Sequence, residues 1–83
     1  MNNYKTTIDF WREWDRKTAI RIAIQDFHIH PFDIKYKDFT SRAGSYQYRL
    51  QIAFINKEQF SRFIYKIIAH NIDLTDIKIR KGA

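Results

Sequence analysis

Apolar and polar residues alternate along much of this chain, and in two stretches the alternation gives way to helical spacing. Tyr4, Thr6, Ile8, Phe10 and Trp14 fall on one side of residues 4–14, and Lys5, Thr7, Asp9, Trp11 and Glu13 on the other. A period of two in β-branched and aromatic residues predicts a strand. Arg12 interrupts its apolar side, so the buried part is expected to end near Phe10 or Trp11. Residues 32–37 alternate again, with Phe32, Ile34 and Tyr36 opposed to Asp33, Lys35 and Lys37. The longest clean alternation sets Tyr46, Tyr48, Leu50, Ile52 and Phe54 against Gln47, Arg49, Gln51 and Ala53, and predicts a central strand. Ile77 and Ile79 alternate with Lys78 and Arg80 in a short last strand.

The segment after the first strand is ambiguous by pattern. Ile20, Ile22 and Ile24 alternate, whereas Ile20, Ala23, Ile24 and Phe27 line one side of a helix. Ala19 and Ala23 favour a helix over a strand, and the stretch ends ahead of Pro31. A helix over about 16–28, capped by Asp15, is the reading. A second helix carries the stripe Phe60, Phe63, Ile64, Ile67 and Ile68. Asn56 with Gln59 resembles a capping box, and Asn71 is a residue that takes the left-handed conformation ending a helix. The stripe reads as core. Its alternative is a dimer or docking surface edged by Phe27 and Tyr65, which makes a second copy of the chain a candidate partner.

The element order is βαββαβ, an α+β two-layer sandwich of the ferredoxin-like type, in a single domain over residues 1–83. A short internal echo fits two βαβ halves. Asp33-Ile34-Lys35-Tyr36-Lys37 resembles Asp76-Ile77-Lys78-Ile79-Arg80, and Ile20 and Ile24 match Phe63 and Ile67 at the same offset. If residues 16–28 are instead a strand, the fold becomes a mostly antiparallel sheet packed on one helix. The core is assigned to Ile8, Phe10, Phe32, Ile34, Tyr36, Leu50, Ile52, Phe54, Ile77 and Ile79.

Composition narrows the chemistry. There is no Cys, which excludes disulfides, Cys-based zinc sites and thiolate catalysis, and fits a cytoplasmic protein. Met1-Asn2-Asn3-Tyr4-Lys5 carries no apolar stretch, so no signal peptide is expected, and no apolar run approaches the ~18 residues of a membrane span. Fifteen Lys and Arg against nine Asp and Glu leave a formal charge of +6. That excess points to nucleic acid, anionic lipid or an acidic protein surface as partner.

Removing the apolar side of each strand leaves a polar, basic sheet face. It carries Lys5, Thr7, Asp9 and Trp11, then Asp33, Lys35 and Lys37, then Gln47, Arg49 and Gln51, then Lys78 and Arg80, with Arg42 and Lys81 at its margins. Clustered cations neutralise phosphates and release counterions, and an aromatic ring stacks on bases. The candidate nucleic-acid contacts are therefore Lys5, Trp11, Lys35, Lys37, Arg42, Arg49, Lys78 and Arg80. The plainer reading is that strand lysines keep a sheet soluble and unpaired at its edges, and that Trp11 packs in the core. Arg42-Ala43-Gly44-Ser45-Tyr46-Gln47-Tyr48-Arg49 does not follow, in order, the third-strand pattern of RNA-recognition motifs.

His28, His30 and His70 are a weak metal signal, and no metal or other cofactor is expected. Asp9 and Asp33 on one face form a candidate carboxylate pair for a Mg²⁺-dependent nuclease. No Gly-rich phosphate loop is present. The leading expectation is a small, non-enzymatic, cytoplasmic module that binds RNA or DNA through its basic sheet face, without a membrane partner. The second is a protein–protein interaction module or inhibitor, of the kind made by phages and mobile elements, on an acidic protein surface. The nuclease is third.

Overall fold

The structure, a computed structural model, describes residues 3–81. Met1, Asn2, Gly82 and Ala83 lie outside that span, as does the side chain of Lys81. Strand β1 (Tyr4–Phe10) leads to helix α1 (Glu13–Phe27), and a 3₁₀ turn at Pro31–Asp33 leads to β2 (Ile34–Thr40). Strand β3 (Tyr46–Phe54), helix α2 (Lys57–Ala69) and strand β4 (Leu74–Lys81) complete the chain. The strands form one antiparallel sheet in the order β2-β3-β1-β4. Both helices pack on one face of it. Phe60 and Phe63 of α2 meet Phe54, and Arg16 of α1 covers Tyr36 and Tyr48 on the same side. This is the ferredoxin-like α+β arrangement, and residues 16–28 belong to a helix rather than a strand. Among the described residues, no helix is long and apolar enough to cross a membrane.

The register explains the core. Thr6, Ile8 and Phe10 lie opposite Ile52, Leu50 and Tyr48, so their side chains share the helix-covered face. Ile8, Phe10, Leu50, Ile52, Phe54, Phe63 and Ile67 are sealed from solvent there. Thr6 is buried with them, its hydroxyl donating to the Ile52 carbonyl at 3.1 Å.

The helix ends repeat one device. His28 and Asn71 both take the left-handed conformation, with φ of 55° and 57°. Each is followed by a buried isoleucine, Ile29 and Ile72, whose N–H groups close on the carbonyls of Ala23 and Ile67. That is the terminating pattern in which a backbone reversal is clamped by an apolar contact. The two positions stand 43 residues apart, the same offset as the Asp33 and Asp76 segments, so the internal echo extends to the helix ends. At the start of α2 the Asn56 side chain accepts from the Gln59 N–H at 2.9 Å. The return bond falls one residue further out, with Gln59 accepting from Ile55 N–H at 2.8 Å.

Several expectations fail, each for a physical reason. Asp15 does not cap α1. The helix begins at Glu13, behind Arg12, and Asp15 sits in its first turn, holding the Arg12 guanidinium at 2.9 Å. The β1 alternation therefore stops at Phe10, and Trp14 lies exposed on the helix. α1 buries Ala19, Ile22 and Ala23, while Ile20 and Phe27 are half-buried and Ile24 is exposed. Arg16 enters that buried side because Asp38 receives it at 2.6 Å and two tyrosine rings flank it. Phe32 is not core. It lies in the 3₁₀ turn and is 87% exposed. Tyr36 and Ile79 point to the helix side but belong to the two edge strands, where the helices leave them 64% and 48% exposed.

Candidate functional site

The sheet face opposite the helices is uncovered, and the strand register sorts its side chains into cross-strand rows. Lys35, Gln51, Thr7 and Lys78 form the middle row. On one side of it lie Ala53, Lys5 and Arg80, with Asp33 at the margin in the turn before β2. On the other side lie Lys37, Arg49, Asp9 and Asp76. Neighbouring strands stand about 4.8 Å apart, and residues two apart along a strand about 6.7 Å, so side chains in adjacent rows lie within reach of one another.

The two outer rows differ in charge pairing. In one, Asp9 is almost fully buried and takes Arg49 in two parallel bonds, Nε to Oδ1 at 2.9 Å and the terminal nitrogen to Oδ2 at 3.1 Å. The Arg49 guanidinium also lies over the Phe39 ring at 4.3 Å. Hydrogen bonding to Asp9 raises the Arg49 pKa above its ordinary value, opposed in part by burial. A guanidinium held by a carboxylate on its edge and an aromatic ring on its face is spoken for. In the other row Lys5 stands directly opposite Arg80, and a methyl group, Ala53, flanks Lys5 where the first row has its carboxylate.

The structure thus separates the predicted contacts. Lys5, Lys35, Lys37 and Arg80 are exposed and make no ion pair among the described residues, and Lys78 reaches only to 3.9 Å from Asp76. Lys5, Lys35 and Arg80 surround an open concavity of about 400 Å³, together with Asn3, Phe32, Asp33 and Gln51. Arg49 is engaged by Asp9. Arg42 lies in the β2–β3 turn, and Trp11 lies just past β1, half-exposed, at the end of the sheet away from Lys5. Trp11 stands six positions along the chain from Lys5, about 20 Å of extended backbone, so Trp11 does not join the concavity. The side chain of Lys81 lies outside the described residues.

Asp9 and Asp33 do not converge. Asp33 sits level with Ala53, which pairs with Lys5, four residues along β1 from Asp9 and about 13 Å away along the strand. Each histidine has a local role. His28 ends α1, His30 Nδ1 accepts from the Phe32 N–H at 3.1 Å, and His70 Nδ1 lies 2.9 Å from the Lys66 carbonyl. Among the described residues, no three His, Asp or Glu side chains come together as a metal site.

Two residues of this face escape the sequence pattern. Phe39 lies beyond the 32–37 alternation, but β2 runs on to Thr40 and carries the Phe39 ring against Arg49. Phe32 shares a side with Ile34 and Tyr36 in the alternating pattern and so reads as core. Pro31 was the available signal, since proline at the first position of a tight turn displaces the next residue from a strand.

No protein-family model matches the chain, and no curated protein matches it. Among solved structures, the de novo designed protein Foldit4 is similar over 96% of this chain and 93% of that one, at 17% sequence identity and a TM-score of 0.45. A likeness of that size assigns neither activity nor partner.

Proposed function

We propose that the chain is a binding module that engages nucleic acid through the open sheet face, centred on the Lys5 end rather than spread over the whole face. The observation that supports this is the set of exposed cations Lys5, Lys35, Lys78 and Arg80 in two adjacent rows, beside a concavity that three of them line. Like charges directly opposite across strands destabilise a sheet. Lys5 against Arg80 is such a pair, and phosphate oxygens relieve it. The same reading places the chain in the cytoplasm, where nucleic acid is accessible.

The test is fluorescence anisotropy of labelled oligonucleotides over a salt series. Each phosphate contact contributes a slope of about −0.7 to −0.9 in a log–log plot, so near 0.15 M salt one contact is worth about fourfold. Lys5→Gln/Lys35→Gln/Arg80→Gln is expected to lower affinity about 50-fold and flatten the slope by about two units. Binding that survives this triple change, or no binding at low salt, contradicts the proposal.

A protein partner is the second reading, and one observation favours it. On the helix side of β2 and β3, Tyr36 and Tyr46 are exposed near the buried Arg16, which lies against Tyr36 and Tyr48, with Tyr48 against Tyr46 at 5.2 Å between ring centres. Exposed tyrosines beside arginine are common at protein interfaces. Stoichiometric co-purification of a protein, abolished by Tyr36→Ala/Tyr46→Ala and untouched by the lysine changes, is the result that would promote it.

A further inference from the structure

We infer that the nucleic acid is single-stranded, with an unpaired base stacked on Phe32 and its flanking phosphates held by Lys5, Lys35 and Arg80; this rests on the function proposed above. Phe32 is the most exposed large apolar side chain described, and the fold does not use it. It is nevertheless held in place. Its ring stacks on His30 at 4.9 Å with planes 9° apart, and its N–H donates to His30 Nδ1. Asp33 N–H closes the turn on the His30 carbonyl at 2.8 Å, and Pro31 fixes the backbone at its start. A ring fixed in solvent by its own turn loses little freedom when a ligand lies on it.

Its surroundings supply the rest of a nucleotide site. Phe32 lines the same concavity as the three cations and Gln51, whose amide both donates and accepts and so suits a base edge. The volume of about 400 Å³ falls at the small-ligand end of binding pockets rather than describing a groove for a double helix. A base in a duplex has both faces covered by its neighbours and cannot reach Phe32. The face also offers no helix or projecting ribbon to enter a major groove about 12 Å wide. Stacking on a fixed ring beside a cationic track is the chemistry of single-strand binding.

The experiment compares labelled ten-nucleotide single-stranded DNA, single-stranded RNA and duplex DNA of one sequence, against the wild type, Phe32→Ala and Phe32→Tyr. Base–aromatic stacking predicts a loss of about 5- to 150-fold for Phe32→Ala on single strands, little change on duplex, and retention by Phe32→Tyr. Because Phe32 is outside the core, thermal melts of all three proteins are expected to coincide. Preference for either sugar is compatible with the inference. Equal affinity for single strand and duplex, with no effect of Phe32→Ala, overturns it while leaving nucleic-acid binding in place. Failure of all three oligonucleotides to bind at low salt removes the function proposed above and this inference with it.

Discussion

The two ends of the open sheet face are near-copies with opposite outcomes. A local twofold relates β1-α1-β2 to β3-α2-β4, and it maps Lys37 opposite Arg49 onto Arg80 opposite Lys5. At one end the next residue in the row is Asp9, which takes Arg49 into a partly buried, two-bond pair. At the other end the equivalent position is Ala53, and Lys5 and Arg80 face each other with no strand carboxylate beside them. One side chain therefore decides whether the central-strand cation, Arg49 or Lys5, becomes part of the fold or stays available to a ligand. Counting charges on a face does not locate a site; following which of them are already paired does.

That comparison can be broken from either side. The largest effect is expected at the paired end. Asp9→Ala leaves the Arg49 guanidinium largely buried without its carboxylate, and should cost about 2–3 kcal/mol of stability in urea denaturation, with nucleic-acid affinity unchanged or higher. The reverse exchange is Ala53→Asp, which supplies the missing acid. It should lower affinity about four- to fifteen-fold, by neutralising one or two phosphate contacts, and leave the melting temperature unchanged or raised. The smallest effect belongs to Lys37→Gln. Lys37 is exposed but stands in the row away from the concavity, and its loss should change affinity by less than about twofold, below the roughly fourfold worth of one phosphate contact. If Lys37→Gln proves as damaging as the loss of Lys5, the distinction between the two ends fails.

Much of the fold was legible, because alternation and helical spacing report directly on which side of an element is buried. Residues 46–54 alternate cleanly and form β3 over those residues. The left-handed Asn71 and the Asn56 cap follow from side-chain chemistry at helix ends. α1 was harder, since its buried side holds Arg16 and Asp15, and a buried ion-paired arginine breaks an apolar stripe. Tyr36 shows a different limit. Its alternation gives the correct side of the sheet, but whether a helix covers that side depends on strand order, which places β2 at an edge. The candidate site suffered most from this. The basic face was readable as a list of residues, yet the pairing of Asp9 with Arg49 depends on the β1–β3 register. The placement of Lys5 directly opposite Arg80 depends on the β1–β4 register. Neither register is written in the local pattern.

The most direct test is an ¹⁵N–¹H NMR titration of the folded protein with a short single-stranded oligonucleotide. The account predicts that shifts concentrate at Asn3, Lys5, Phe32, Lys35, Gln51, Ala53 and Arg80, around the concavity, and leave Phe39, Gln47 and Arg49 nearly still. Shifts centred on the Asp9–Arg49 end, or on Tyr36 and Tyr46 of the helix side, would contradict it.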